Sequence, residues 1–207
     1  MKPRFPVFTI GHSAHSPERF RELLERFGVD VVLDVRSSPY SGRFPHFNRD
    51  SLKTWLNESG IRYSVGGAAL GGRPKSESMY ANGRADYLKM AGTETFRHGL
   101  RRIAAAARLH KVALLCAEAD PLDCHRFLLV GRALHEVGID VFHILNSGVA
   151  ERHRITEERL LRATGLFQQG MFEDSTDVLA RAYAVQASRV AYTIPRPELR
   201  ETEWKWE

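Results

Sequence analysis

Only two cysteines occur in 207 residues, too few for the disulfide framework of a small secreted domain; a cytosolic setting would keep them as thiols unless they do redox work. No apolar run approaches the roughly 18 to 20 residues that span a bilayer. The opening MKPRFPVFTIGHS lacks an apolar stretch of signal-peptide length. A soluble, cytoplasmic protein with no membrane partner is expected. Internal repeats and low-complexity tracts are missing. So are a Walker loop and a G-x-G-x-x-G turn after the first strand, which removes the usual grounds for a nucleotide cofactor. There is no large excess of one charge either: 30 basic and 25 acidic residues leave a net charge of +5. That balance permits attraction to phosphates, and it equally describes an ordinary mixed surface.

What is present is alternation. Val7-Phe8-Thr9-Ile10 reads as a buried strand running into the turn Gly11-His12-Ser13. Ser16-Pro17-Glu18 then has the form of a helix start, with Phe20, Leu23, Leu24 and Phe27 as one apolar stripe and Gly28 as terminator. Val31–Val35 follows as a second strand, so strand, helix and strand predict a βαβ unit with a parallel pair. A short helix begins near Ser51, and Ile61-Arg62-Tyr63 reads as a short strand. Residues 64–83 look too glycine-rich for regular structure. Helical signals resume at Asp86–Met90 and again at Thr93-Glu94. A strand at 112–115 and a helix from about Asp123 to Val137 come next, closed by Gly138, with Val141–Ile144 as the last strand. The fold class expected is α/β: a mostly parallel, doubly wound, Rossmann-like sheet with helices on both faces. We assign it to residues 1–148. Residues 149–207 form a C-terminal helical extension, with helices at 151–164 and 174–190 and a tail carrying Trp204-Lys205-Trp206.

The richest stretch is VALLCAEADPLDCHR at 112–126, where a buried strand ends at Cys116 and a polar turn leads to Cys124, His125 and Arg126. In an open α/β sheet, ligands bind beyond the carboxyl ends of the strands. His12, Ser13, Asp34, Arg36, Glu118 and the Cys124-His125-Arg126 triplet should therefore share one edge. Asp34, flanked by Leu33 and Val35, needs a partner, and Arg36, Arg126 or His12 can supply it. Arg126 and the N–H groups of a helix start suit an anion, although Arg126 can instead pair structurally with Asp34 or Glu118. Cys124 at a helix start, beside His125 and Arg126, is placed for a low-pKa thiolate; orienting a ligand, reacting and binding metal all stay open for it. A phosphatase loop built on Cys116 would need arginine at 122, where Leu122 stands. Zinc held by Cys116, Cys124, His125 and His12 is a weak signal, because paired C-x2-C knuckles are missing. His46 and Phe47 suit either base stacking or a loop pinned in the core by Phe44 and Phe47.

Five ordered segments carry a resemblance: Thr9–Ser13, Leu33–Ser41, Leu70-Gly71-Gly72, Leu115–Glu118 and Cys124-His125-Arg126. Together, over roughly residues 5 to 146, the chain resembles the bacterial and archaeal family named domain of unknown function 488. That resemblance implies a compact α/β domain and brings no established reaction. From the residues themselves, the leading expectation is an enzyme acting on a phosphate-bearing substrate, a nucleotide or nucleic acid. Cys124, His12, Asp34 and Glu118 would do chemistry, and Ser13, Arg36, Ser41, His125 and Arg126 would bind. The alternatives are a non-catalytic nucleotide or nucleic-acid binding module and a thiol redox protein using Cys116 and Cys124.

Overall fold

A computed structural model describes residues 5–168 and 174–195. In chain order the elements are β1 (Val7–Gly11), α1 (Pro17–Arg26), β2 (Val31–Asp34), α2 (Arg49–Glu58), β3 (Arg62–Val65), α3 (Gly67–Leu70), β4 (Tyr80–Ala81), β5 (Arg84–Ala85), α4 (Tyr87–Ala91) and α5 (Glu94–Ala106). These are followed by β6 (Val112–Cys116), a π-helical stretch over Arg126–Gly131, α6 (Arg132–Glu136), β7 (Val141–Ile144), β8 (Ala150–Arg152), α7 (His153–Ala163) and α8 (Ser175–Val190). The main sheet has the order β3-β2-β6-β1-β7-β8. Its first five strands are parallel, and β8 runs antiparallel to β7. The α/β class, with helices on both faces, is as expected.

The apolar runs explain the layering. Alternate residues of β6 serve opposite faces: Val112 and Leu114 join a core with Phe96, Ile103 and Phe127, whereas Ala113 and Leu115 join one with Phe20, Leu24 and Leu52. Both faces of β6 are buried, so it takes the centre of the sheet. This corrects one expectation: β1 and β2 are parallel, but β6 lies between them. Helix starts follow their caps, with the Ser16 hydroxyl accepting from the Arg19 amide at 3.3 Å and the Asp86 and Thr93 side chains doing likewise for α4 and α5.

Three further expectations change. Residues 64–83 are not uniformly irregular, since they contain α3 and the β4 strand of a small hairpin. The single helix at 123–137 is instead a 3-10 turn at Pro121–Asp123, an extended Cys124, the π-helical stretch and α6. Val141–Ile144 is not the last strand, because β8 extends the sheet past residue 148. The Trp204–Trp206 tail lies outside the described residues.

Helices α7 and α8 are tied to the sheet by a buried polar chain. Thr9 Oγ1 meets His143 Nδ1 at 2.7 Å, His143 Nε2 meets His153 Nδ1 at 3.0 Å, and His153 Nε2 meets Tyr183 Oη at 2.9 Å. Tyr183 donates onward to Glu157 Oε1 at 3.0 Å. With Tyr183 donating, each link has one donor and one acceptor if both imidazoles are neutral, and every member is satisfied. Burial, reinforced by neighbouring positive charge, keeps them neutral: it drives His143 well below its usual range and His153 down to about 3.

A pH dependence follows. An unfolded histidine takes up a proton below about 6.5 and the folded ones do not, so this stabilisation is complete above that pH and is lost as pH falls toward about 3. Thermal midpoints recorded by circular dichroism should drop across this window. The drop should be shallower in a His153→Gln variant, whose side chain cannot take up the proton.

Candidate functional site

Parallel register brings the polar strand ends together. Gly11 is opposite Cys116, and Asp34 is opposite Leu115. His12, Asp34, Arg36, Cys116 and Glu118 therefore gather at the carboxyl edge of the sheet. A cleft of about 500 Å³ opens there, lined on its strand side by His12, Arg36, Cys116 and Glu118 and on its far side by Gly72, Arg73 and Tyr192.

Asp34 is fully buried and has four donors: the Arg36 amide at 3.1 Å, Arg36 Nε at 2.9 Å, Arg36 Nη2 at 2.6 Å and the Tyr63 hydroxyl at 2.7 Å. Of the three partners anticipated for it, Arg36 is the one realised. Arg36 Nη2 also donates to the Phe47 carbonyl at 2.8 Å. Its remaining nitrogen, Nη1, is buried and has no hydrogen-bond partner among the described residues.

His12 stacks on Phe47 with ring centroids 4.5 Å apart, and its Nδ1 lies 2.9 Å from the Ser13 carbonyl. That contact places the proton on Nδ1 and the lone pair on Nε2. Burial, assisted by the charge of Arg36, lowers His12 to about 4, against the pull of the Ser13 carbonyl. Ser13 itself has a left-handed backbone, φ 47°, with its amide on the Ala117 carbonyl at 2.9 Å. It is not among the residues lining the cleft; its contribution is to orient His12. Ser41 does line the cleft, and its hydroxyl accepts from the Phe44 amide at 3.0 Å. Of the two readings of His46 and Phe47, the buried Phe47 fits the core anchor.

The second wall is built from the thiols. Cys124 Sγ donates to Glu118 Oε2 at 2.9 Å. His125 Nδ1 faces Cys116 Sγ at 3.6 Å and Cys124 Sγ at 3.8 Å, while Nε2 donates to the Val35 carbonyl at 3.0 Å. The ligand atoms of Cys116, Cys124 and His125 all lie within 4.8 Å of one another, so this buried group can hold a metal ion. Burial opposes ionisation of Glu118, but hydrogen bonds from Cys116, Cys124 and its own amide prevail and hold its carboxyl down at about 2.

Two sequence expectations fail here. Cys124 does stand at a helix start, its carbonyl accepting from the Leu128 amide and its Sγ from the Arg126 amide, but it is not a low-pKa thiolate: burial, then the neighbouring Cys116 sulfur, push its thiol well above the ordinary value. Arg126 does not reach a ligand. It is 0% exposed, and its guanidinium donates to the carbonyls of Glu118 and Ala119. Those bonds fix the turn that carries Glu118. They depend on Gly11, where a Cβ would overlap the Glu118 carbonyl and press on Arg126 Nη1.

Sequence reasoning missed Tyr63, Tyr87 and Tyr192. Nothing local marks them, because each arrives from a distant segment. Arg73 is different: with Gly66-Gly67 and Gly71-Gly72 it reads from sequence as able to wrap a phosphate, and it lines the cleft together with Gly72. A Cβ at Gly72 would sit 2.8 Å from His125 Cγ.

A protein-family model described as "Domain of unknown function DUF488" matches residues 16–133. No curated protein and no solved structure matches the chain.

Two substitutions test the scaffold of the site. Asp34→Asn leaves the Arg36 charge buried without its counter-ion and should cost about 3 to 5 kcal/mol. Gly11→Ala should cost about 3 kcal/mol through overpacking. Urea unfolding measures both, and a loss below about 1 kcal/mol for either would contradict this account of the strand ends.

Proposed function

The chain belongs to the DUF488 family, whose description names no reaction, and from the cleft itself we propose that the protein is an enzyme acting on a phosphate-bearing substrate, a nucleotide or a nucleic-acid end. The observation that carries this reading is Arg36. A buried guanidinium nitrogen without a partner is costly, and this one belongs to a residue of the cleft wall. A small shift of the wall would bring it to an anionic oxygen in the cleft. Because Asp34 offsets the charge of Arg36, the guanidinium acts as an oriented donor more than as a net cation. Arg73, exposed at the rim, adds a positive charge with no ion-pair partner among the described residues, and the hydroxyls of Ser37, Ser38 and Ser41 are close by on the same wall.

Aromatic faces favour a base on the same ligand. Tyr40 is 71% exposed at the rim, and Arg73 lies over the Tyr192 ring at 4.9 Å. Such platforms stack on nucleobases with little sequence preference. Within this reading Glu118 is the anionic group at the reacting centre, His12 presents its Nε2 lone pair as proton acceptor, and Asp34 orients Arg36. Cys124 is relieved of the nucleophile's role by its burial and its bond to Glu118. The same burial weighs against a freely cycling thiol pair.

Binding should be measured by calorimetry with a panel of ribo- and deoxyribonucleoside phosphates and short oligonucleotides, with products followed by mass spectrometry. At least one nucleotide should bind and turn over. Arg36→Lys, which keeps the charge and loses the planar fork, should weaken binding about tenfold or more, and Arg73→Ala should do so more mildly without touching the fold. Absence of binding to every member of the panel would end the proposal. Binding that is steeply salt-dependent, with no product, would convert it to a non-catalytic nucleic-acid module.

A further inference from the structure

We infer that Cys116, Cys124 and His125 form a site for one thiophilic divalent ion of the zinc class, with the fourth coordination position facing the cleft beside Glu118. This inference is independent of the phosphate reading, because it rests only on the thiol wall.

The spacing is the first argument. Tetrahedral zinc with Zn–S near 2.3 Å and Zn–N near 2.0 to 2.1 Å requires sulfur and nitrogen to be roughly 3.6 Å apart. The two sulfurs are 3.6 and 3.8 Å from His125 Nδ1, and no pair among the three ligand atoms exceeds 4.8 Å. Hydrogen bonding gives each group a partner but does not require all three atoms to converge. Nδ1 has one lone pair and can accept from one thiol; with Cys116 in that role and the Cys124 proton on Glu118, the 3.8 Å approach of Cys124 Sγ to Nδ1 is left without a hydrogen bond of its own. A cation at the centre of the three atoms accounts for both.

The surroundings provide the second argument. His125 Nε2 donates to the Val35 carbonyl at 3.0 Å, which fixes the proton on that nitrogen and leaves Nδ1 free to ligate, as metal-bound imidazoles require. The Arg126 amide points at Cys124 Sγ from 3.3 Å, a bond that favours a thiolate sulfur. The ligands also come from well-held places. Cys116 ends the central strand, and Cys124 and His125 immediately precede the π-helical stretch. Charge balances as well: on binding, both thiols release their protons to solvent, and two thiolates with a neutral imidazole cancel the ion's two charges. A neutral centre is the form that a buried position tolerates.

The site is at the floor of the cleft, since Cys116, His125 and Glu118 all line it. Two cysteines and a histidine with an open fourth position are a donor set of catalytic zinc. Such an ion polarises a bound oxygen or lowers the pKa of a bound water. Glu118, with Oε2 2.9 Å from Cys124 Sγ, is placed to accept a hydrogen bond from that water.

The full chain, stripped with chelator under reductant, should be titrated with cobalt(II) alone. We expect one ion per chain, a thiolate-to-cobalt charge-transfer band, intense tetrahedral d–d bands, and displacement of all of these by zinc. X-ray absorption on the zinc-loaded wild-type chain should show two sulfurs and at least one nitrogen, a readout that needs no variant. Cys124→Ser should lose the charge-transfer intensity of one sulfur and weaken binding at least a hundredfold, and Glu118→Gln should retain stoichiometric binding. Cobalt that binds without a charge-transfer band, a zinc shell without sulfur, or failure to take up one ion per chain would overturn the inference. So would a reduced chain whose two thiols remain fully reactive toward alkylation with zinc present.

Discussion

The site hangs on the buried pair of Asp34 and Arg36. Asp34 ends a strand between two apolar residues, where a lone carboxylate would be prohibitive, and the chain answers by folding Arg36 back onto it two residues later. One guanidinium face then closes on both carboxylate oxygens, the Tyr63 hydroxyl completes the set, and Nη2 continues to the Phe47 carbonyl. Phe47, held by that bond and buried, supports the His12 ring. A buried ion pair is weak evidence for stability in itself. Here it fixes a direction: it sets where the loop after β2 runs, and with it one wall of the cleft.

The opposite wall is organised by Arg126 from inside. Its guanidinium occupies the space that Gly11 leaves open and binds consecutive carbonyls of the turn after β6. The C-terminal helices complete the arrangement: Gln186 donates to the Leu122 carbonyl at 3.1 Å, and Tyr192 contributes to the cleft. Helix α8 thus braces the turn that holds Cys124 and is part of the site's architecture.

Much of this was legible in the sequence, for physical reasons. Strands β1, β2, β6 and β7 are short apolar runs ending in turns, and Ser16, Asp86 and Thr93 announce their helices. Convergence of the polar strand ends follows once the strands are parallel. The illegible parts share a different cause. Residues 126–131 are buried throughout, so their apolar pattern cannot separate a π-helical winding from an α-helical one. β8 is three residues long and polar, and only its partner β7 makes it a strand. The sequence leaves Arg126 open between a ligand and a structural pairing, since its burial depends on a glycine 115 positions earlier in the numbering of the chain. Cys124 misled for a related reason: it stands at a helix start as its sequence neighbours suggest, but the core buried around it raises its pKa.

Gly72 leaves bare backbone beside the imidazole of His125, where an added Cβ would stand 2.8 Å from Cγ. The far wall can therefore approach the floor this closely only because position 72 carries no side chain, and any larger residue there would have to displace the ring or widen the cavity.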